Sequence, residues 1–332
     1  MLSSLLEKIA PTSTLSTTFF PPAALFSAED MPDLSGKVII VTGGNAGIGY
    51  ETVKALLKKN AKVYLAARSQ DKAEKAIASL RQDTGREAIF LKLNLGDLAS
   101  IKPSAEEFLS KEKKLDVLFN NAGVMTPPTG QLTESGYDLQ WGTNVLGPYY
   151  FTKLLIPALK ASKSASGTPS RVINTSSLAH AYAPTSAPNK VWDVDSFVGG
   201  EKRDALIKKW GEYGARSALY GQSKAGNIAH ANYLGREHAG DIVACSLHPG
   251  MINSELQRHL PGFVASIVRW MSYPLTMGAL TQLNTGTILT PEEINGKYYQ
   301  PWGRVGHPTT QSNDPARADE LHQLCEAELA KL

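Results

Sequence analysis

Residues 38–49 read VIIVTGGNAGIG, an apolar run of four residues followed by a glycine-rich stretch. The apolar run predicts a buried strand, and the residues that follow have the spacing of a helix. Glycines between a strand and a helix let the backbone approach a pyrophosphate, whose charge is stabilised by the helix N-terminus. The spacing TGxxxGxG differs from the GxGxxG dehydrogenase fingerprint, and a glycine-rich turn without a ligand would also explain it. The candidate cofactor-binding residues of this stretch are Gly43, Asn45, Gly47, Ile48 and Gly49.

From Lys37 onward, short apolar runs alternate with longer segments of helical spacing, which predicts a parallel sheet with crossover helices. The predicted strands are 38–41, 63–66, 89–93, 117–119, 172–173, 242–247 and 298–299. The predicted helices are 50–59, 71–80, 98–109, 139–159 and 220–238. We therefore expect the α/β class, with a single doubly wound Rossmann domain built on a central parallel sheet of about seven strands.

Composition narrows the classes of function. The net charge of +3 is spread along the chain without a basic block, so a nucleic-acid partner is not expected. Cys245 and Cys325 lack the paired spacing of a zinc site or a disulfide framework, so no metal is expected. Residues 1–32 are interrupted by prolines and hold only Lys8 as a basic residue, which predicts a surface extension without a transmembrane or targeting segment. Residues 33–332 would then form the folded domain, in the cytoplasm.

Two further strand ends carry candidate cofactor residues. The second predicted strand ends at Arg68 with no Asp or Glu, and a guanidinium there can bind a 2′-phosphate, which favours NADP(H) over NAD(H). An exposed, solvated Arg is the alternative. After the fourth predicted strand, Asn121, Ala122 and Gly123 stand at the edge of the sheet where ligands bind in open α/β folds, although a tight turn would use the same residues.

The candidate catalytic residues stand further along the chain. Tyr220 and Lys224 lie four residues apart at the predicted start of a helix, so they share one face. A nearby ammonium favours the phenolate, which would bring the acid/base chemistry of Tyr220 closer to neutral pH. Ser177 follows the fifth predicted strand, where its hydroxyl would hold a substrate oxygen or simply cap a turn. Asn144 lies inside the predicted helix 139–159, where it is unfavourable on propensity.

Together these motifs resemble the short-chain dehydrogenase/reductase family from about Leu34 through Pro301. Each motif alone is weak, but their order and spacing are specific. The sequences PDLSGK at 32–37, YGQSK at 220–224 and HPG at 248–250 are similar to the retinol-dehydrogenase-like branch, which includes many fungal members.

The resemblance implies a role for each matching residue. Tyr220 would be the general acid/base on the substrate oxygen, Ser177 would orient that oxygen, and Lys224 would lower the pKa of Tyr220 and bind the nicotinamide ribose. Asn144 would hold a water that connects Lys224 to solvent. The remaining residues would contact the cofactor: Asn121, Ala122 and Gly123 on the adenine-ribose side, and Pro249, Gly250, Ile252 and Ser254 near the nicotinamide.

Two features depart from the minimal family pattern, and a third segment resembles the substrate lid of the family. Asn94 stands where the family commonly has an Asp that accepts from the adenine amine, and its amide oxygen can still accept. The long stretch between Ser177 and Tyr220 would shape a substrate wall with Pro184, Pro188, Trp192, Phe197 and Trp210. Residues 255–290 resemble a substrate lid rich in Trp, Met and Phe, which would suit a bulky apolar substrate, although a plain core helix explains the same spacing.

The sequence therefore predicts an NADP(H)-dependent enzyme that interconverts an alcohol and a ketone or aldehyde on a small-molecule substrate. The alternatives are a non-catalytic dinucleotide-binding regulator or scaffold, and a membrane-peripheral reductase of lipids or retinoids. The long predicted helices 139–159 and 220–238 carry more apolar residues than one core-facing stripe needs, and with the resemblance this favours a homodimer or homotetramer.

Overall fold

The computed structural model describes residues 17–18, 20–183, 192–254 and 272–332. Its strands are β1 Val38–Thr42, β2 Lys62–Ala67, β3 Ile89–Lys92, β4 Val117–Asn120, β5 Ser170–Thr175, β6 Ile242–Leu247, β7 Tyr298–Gln300 and β8 Arg304–Gly306. Its α-helices are α1 Gly47–Lys58, α2 Gln70–Thr84, α3 Leu98–Lys111, α4 Leu139–Trp141, α5 Gly147–Ser166, α6 Glu201–Trp210, α7 Glu212–Glu237, α8 Leu275–Leu283, α9 Pro291–Ile294 and α10 Pro315–Leu329.

The strands form one sheet in the order β3-β2-β1-β4-β5-β6-β7-β8. All neighbouring strands are parallel except β7 and β8, which are antiparallel. Every residue of β1 and β6 is buried, as expected for strands covered by helices on both faces. The predicted doubly wound sheet is thus confirmed, with the antiparallel edge strand β8 as an addition.

The topology fixes where a ligand can bind. From β1 the chain moves outward to β2 and β3, then returns to β4 on the other side of β1. The crossovers on the two sides of β1 run in opposite directions, so they leave a crevice at the carboxyl ends of β1 and β4.

Two of the predicted helices differ from the observed ones. The helix expected at 220–238 begins at Glu212, so Tyr220 lies in its third turn and not at its start. The helix expected at 139–159 consists of α4, a π-helical segment Gly142–Leu146, and α5. A single-turn π segment leaves no mark on apolar periodicity, and such segments are frequent at functional sites.

The predicted lid lies only in part within the described residues. Residues 255–271, including Phe263 and Trp270, lie outside them, so a lid there stays a prediction. The following helix α8 packs against α1, and its Ala279 and Leu283 belong to the apolar core. For this part of the segment, the core-helix interpretation holds.

The insertion between Ser177 and Tyr220 does not form the expected wall in its described parts, residues 178–183 and 192–219. Trp192 and Phe197 are buried against Trp141, with the Phe197 and Trp141 rings stacked at 3.5 Å. Their apolar rings gain more from burial in the core than from lining a cleft. Arg203 of α6 forms a buried ion pair with Asp138, at 2.7 Å, which anchors the insertion where α4 begins. Pro184 and Pro188 lie outside the described residues.

Both ends of the described chain pack on the domain. In the N-terminal segment, which we predicted to be a surface extension, the side chain of Thr18 is buried against His248, whereas Phe20 is exposed. At the other end, α10 lies across α7 and contacts α5. Within the described residues, no helix is long and apolar enough to cross a membrane.

Candidate active site

A cavity of about 700 Å³ opens at the carboxyl edge of the sheet. Its walls come from the loops after β1, β2, β3, β4, β5 and β6, together with one face of α7. The sequence-predicted residues that line it are Gly43, Asn45, Gly47, Ile48, Arg68, Asn94, Asn121, Ala122, Gly123, Ser177, Tyr220, Lys224, Pro249, Gly250, Ile252 and Ser254. Gly49 and Asn144 lie behind the cavity wall. The predicted cofactor and catalytic residues thus meet at one cavity.

The glycine loop has the backbone that a close-approaching ligand requires. Gly43 and Gly47 adopt left-handed φ values of 68° and 59°, which glycine reaches without strain. Ala46 caps α1 without a side-chain hydrogen bond, so the first N–H groups of the helix face the cavity free of a capping oxygen. This geometry is compatible with an anion such as a pyrophosphate.

Gly49 does not line the cavity. Its lack of a side chain allows close packing within this loop. A Cβ at Gly49 would collide with the carbonyl oxygen of Gly43 and come within 2.6 Å of Asn121 Nδ2. The missing side chain therefore lets α1 approach the loop after β4.

Thr42 joins the ends of β1 and β4, a role that we did not predict. Its Oγ accepts from the backbone N–H groups of Asn121 and Ala122, both at 3.0 Å, and donates to the carbonyl oxygen of Phe119. The Asn121 amide in turn donates to the Thr42 carbonyl oxygen at 2.9 Å. A hydroxyl directly before the glycines was the available signal, because Thr at a buried strand end needs partners.

The end of the cavity where we expect the adenine carries Arg68 and Asn94. Arg68 is exposed at the end of β2 and makes no hydrogen bond or ion pair with another residue in the part of the chain that the structure describes. Asn94 Oδ1 accepts from the Gly96 N–H at 3.2 Å, which uses one lone pair of the amide oxygen and leaves the other. Both side chains are thus compatible with the NADP(H) contacts expected from the sequence.

At the other end, Ser177, Tyr220 and Lys224 come together. Ser177 follows β5, and its side chain lies near enough to Tyr220 to lower the pKa of the phenol. Lys224 Nζ donates to the Thr175 carbonyl oxygen at 2.9 Å and lies 5.7 Å from the centre of the Tyr220 ring. A Cβ at Gly123 would lie only 3.4 Å from Lys224 Nζ, so the glycine keeps the cavity open beside the ammonium.

Burial dominates the pKa values of the pair. It raises the pKa of Tyr220 to about 12, with the Ser177 side chain opposing the rise. It lowers the pKa of Lys224 to about 8. Burial of the phenolate thus acts against the lowering expected from Lys224, whose ammonium donates to the Thr175 carbonyl oxygen, and that lowering stays a prediction.

Asn144 sits in the π segment and holds the loop after β4. Its Oδ1 accepts from the Val124 N–H at 2.8 Å, while its Nδ2 donates to the Val124 carbonyl oxygen and to Ser223 Oγ, both at 2.9 Å. Both amide hydrogens are therefore used within the protein, and only Oδ1 could still accept from a water. The predicted water relay stays a prediction.

The turn after β6 closes the end of the cavity where we expect the nicotinamide. Gly250 has a left-handed φ of 92° and donates its N–H to His248 Nδ1 at 3.1 Å. Since Nδ1 accepts, the proton of the neutral ring lies on Nε2, which faces Thr18 Oγ at 3.1 Å. The N-terminal segment thus supports the Pro249-Gly250 turn, a contact that we did not predict.

Four further apolar side chains line the cavity, together with the amide of Gln131. Val124 and Met125 follow β4, Leu139 begins α4, and Met251 follows β6. Among the described residues, no group of His, Cys, Asp and Glu side chains is arranged to hold a metal ion.

Comparisons with known proteins agree with this arrangement. Residues 37–188 match the family model described as short chain dehydrogenase. A short-chain dehydrogenase/reductase of Armillaria gallica is 48% identical over 94% of this chain and 96% of its own. Another, from Phomopsis amygdali, is 38% identical over 86% of this chain and 84% of its own. The NADPH-bound carbonyl reductase from chicken fatty liver superposes with a TM-score of 0.57 at 21% identity, over 80% of this chain and 97% of its own.

At 21% identity, the similarity to the chicken carbonyl reductase is one of fold. The two fungal relatives, in contrast, are similar over 94% and 86% of this chain. The chain is a member of the short-chain dehydrogenase/reductase family.

Proposed function

We propose that this chain is an NADP(H)-dependent oxidoreductase that interconverts an alcohol and a ketone or aldehyde on a bulky apolar substrate. The observation that carries the proposal is the convergence of Ser177, Tyr220 and Lys224 in the cavity that also holds the glycine loop and Arg68. A protein that only bound a dinucleotide would have no need of a buried phenol and ammonium beside it.

The residues present fit the cofactor. The left-handed glycines and the free N-terminus of α1 suit the pyrophosphate, Arg68 suits the 2′-phosphate, and Lys224 suits the nicotinamide ribose. When bound there, NADP(H) supplies or accepts the hydride. The NADPH-bound state of the chicken carbonyl reductase fits this choice of cofactor.

The chain's own residues supply the proton and the orientation. Tyr220 is protonated at neutral pH and donates its phenolic proton to the carbonyl oxygen of the substrate during reduction. Ser177 Oγ donates a second hydrogen bond to that oxygen, which holds it beside the phenol. Lys224 places a positive charge near the phenolate that results, and this charge offsets part of the cost of forming an anion in a buried site.

The substrate class follows from the outer wall of the cavity. Val124, Met125, Leu139 and Met251 offer apolar contacts, and the two flexible thioethers adapt to irregular shapes. We expect no particular polar substituent to be required beyond the reacting oxygen. Self-association and a cytoplasmic location stay predictions.

The test is a screen of aldehydes, ketones and alcohols, including retinoid, steroid, terpenoid and polyketide-like compounds, followed by NADPH absorbance. We expect turnover with at least one bulky apolar carbonyl compound and slower turnover in Ser177→Ala. NADPH binding without turnover in either direction would favour the non-catalytic regulator instead.

A further inference from the structure

Behind Ser177 the chain forms a short 3-10 turn, Leu178–Tyr182, that lies between the active site and the C-terminal segment. Ser177 begins this turn, and its Oγ accepts from the Ala179 N–H at 3.2 Å. The direction of the Ser177 hydroxyl therefore depends on how the turn is held.

His180 holds the turn from one side. Its Nδ1 lies 2.7 Å from the Ser177 carbonyl oxygen, and its Nε2 lies 3.3 Å from the Thr309 backbone nitrogen. A carbonyl oxygen can only accept and a backbone N–H can only donate, so the ring carries its proton on Nδ1 and accepts at Nε2. Burial lowers the pKa of His180 to about 4, so the ring is neutral at pH 7 and keeps this tautomer.

Gly221 of α7 allows the turn to pack closely against the helix. This residue directly follows Tyr220 in α7, and a Cβ here would come within 2.6 Å of the Ala179 carbonyl oxygen and 2.9 Å of the Ala183 nitrogen. The turn thus rests on the backbone of α7 beside the catalytic phenol. The close contact at Gly221 and the hydrogen bonds of His180 together fix the position of the turn relative to Tyr220.

We propose that His180 is a positioning residue for the oxidoreductase reaction, acting through the Ser177 carbonyl to keep the Ser177 hydroxyl directed at Tyr220 and the substrate oxygen. This inference rests on the proposed function. His180 does not line the cavity, so it acts through Ser177 and touches no reacting atom.

Two variants separate the hydrogen bond from the packing. His180→Phe keeps a planar ring and removes the donor. His180→Asn places an amide donor near the position of Nδ1. We expect His180→Phe to lower kcat by about 10- to 100-fold, the order of loss that a misplacement of about 1 Å can cause. The Kd for NADPH should change less than about twofold, since the cofactor residues are untouched. His180→Asn should recover most of the lost kcat.

His238→Phe is the matched control, because His238 lies at the other end of α7, about 27 Å from Tyr220 along the helix. Its kcat should equal that of the wild type. Thermal melting of each variant checks that it is folded.

A double-mutant cycle tests whether His180 acts through Ser177. If it does, His180→Phe costs little in a Ser177→Ala background, because the hydroxyl that it positions is gone. An equal loss in both backgrounds would contradict the proposal, and so would wild-type kcat in His180→Phe. If the wild-type chain reduces no carbonyl compound in the screen, the proposed function fails first, and the positioning role fails with it.

Nitrogen-15 spectra of histidine-labelled protein give a readout that needs no turnover. We expect the His180 signals, assigned by their loss in His180→Asn, to show the Nδ1–H tautomer at pH 7. The more common Nε2–H tautomer would overturn the proposal whatever the kinetics show.

Discussion

Tyr220 and Lys224 are buried side by side, and burial moves their pKa values apart, raising that of the phenol to about 12 and lowering that of the ammonium to about 8. At neutral pH both groups are protonated. A protonated phenol is ready to donate, which favours carbonyl reduction, whereas alcohol oxidation needs the phenolate and should gain from alkaline conditions.

The pH dependence of reduction should report Lys224. Its ammonium charge is lost as the pH rises through about 8, so kcat/KM for NADPH should fall above that pH. Arginine stays charged throughout this range. Lys224→Arg should therefore move the alkaline fall upward by more than about one pH unit, even if its maximal rate is lower. An unchanged alkaline limb in initial-rate profiles would assign the fall to another group.

Arg68 should determine the preference for NADPH. A charge-assisted hydrogen bond contributes about 1.5–3 kcal/mol, so Arg68→Ala should weaken NADPH binding by about 10- to 100-fold and leave NADH binding nearly unchanged. Lys75→Ala removes an equal charge from the exposed face of α2 and serves as the control. Calorimetric titration measures the affinity of the wild type and both variants for each cofactor. Equal affinity of the wild-type chain for NADH and NADPH would remove the role assigned to Arg68.

At the scale of elements, the glycine loop combines helix packing and the proposed cofactor binding in neighbouring residues. Gly43 and Gly47 shape the cavity surface, whereas Gly49 lets α1 approach the loop at Asn121. A side chain at Gly49 must push the helix away from the sheet or distort the loop that faces the cofactor.

Gly49→Ala should therefore damage both stability and cofactor binding. Overpacking of this kind costs about 1–3 kcal/mol of unfolding free energy. We expect NADPH affinity to fall by at least about tenfold, since α1 and the loop must separate. Gly130→Ala is the control, because a Cβ there meets nothing within 4 Å. Chemical denaturation and NADPH titration measure the two effects, and equal results for both variants would refute this account of the loop.

The elements differ in how well the sequence predicts them. The buried parallel strands are visible because nearly every residue is apolar, as in 242–247, which matches β6 residue for residue. The strand β8 was missed because it has only three residues and no apolar pattern, with Val305 exposed and Gly306 buried. The start of α7 at Glu212 was missed because its first turns contain Gly214 and few buried residues, so apolar periodicity begins only near Tyr220.

The candidate site likewise contains residues that the sequence predicts and residues that it does not. Residues directly exposed to the cavity follow recognisable motifs at strand ends. The supporting contacts of Thr42, His180 and His248 join segments far apart in the sequence, and no spacing rule connects them. Such contacts depend on tertiary packing and become visible only in the structure.

At the scale of the whole molecule, α10 covers the long helices that we expected to meet a second subunit. Tyr149 and Lys153 of α5 both donate to Glu326, and the Tyr233 ring of α7 stacks on His322 at 4.1 Å. This helix of the same chain explains why α5 and α7 carry more than one apolar stripe. An interface between subunits on these helices would therefore have to include α10.

Three buried histidines should make the domain sensitive to acid. Burial lowers the pKa of His180 to about 4 and those of His230 and His248 to about 3. The unfolded chain takes up these protons near pH 6.5 but the folded chain does not, so stability is full above that pH and falls as the pH drops toward 3–4.

At pH 5.5, each of the three buried histidines should lower the free energy of unfolding by about 1.4 kcal/mol. Urea denaturation at pH 7.5 and 5.5 measures this loss. His230→Gln removes one titrating group away from the cavity and should reduce the pH dependence by about one third. A wild-type unfolding free energy that is constant between these two values would contradict the neutral state of the three rings.

The central claim is that Tyr220 supplies the proton while hydride reaches the substrate carbon. The most direct test measures deuterium transfer from C4-deuterated NADPH to the carbonyl compound that the wild-type chain reduces best, in wild type and Tyr220→Phe. We expect wild-type transfer to the carbinol carbon, and in Tyr220→Phe a rate about 10²–10⁴-fold lower with NADPH affinity nearly unchanged. Near-wild-type transfer in Tyr220→Phe would show that the proton comes from another group and would contradict the account.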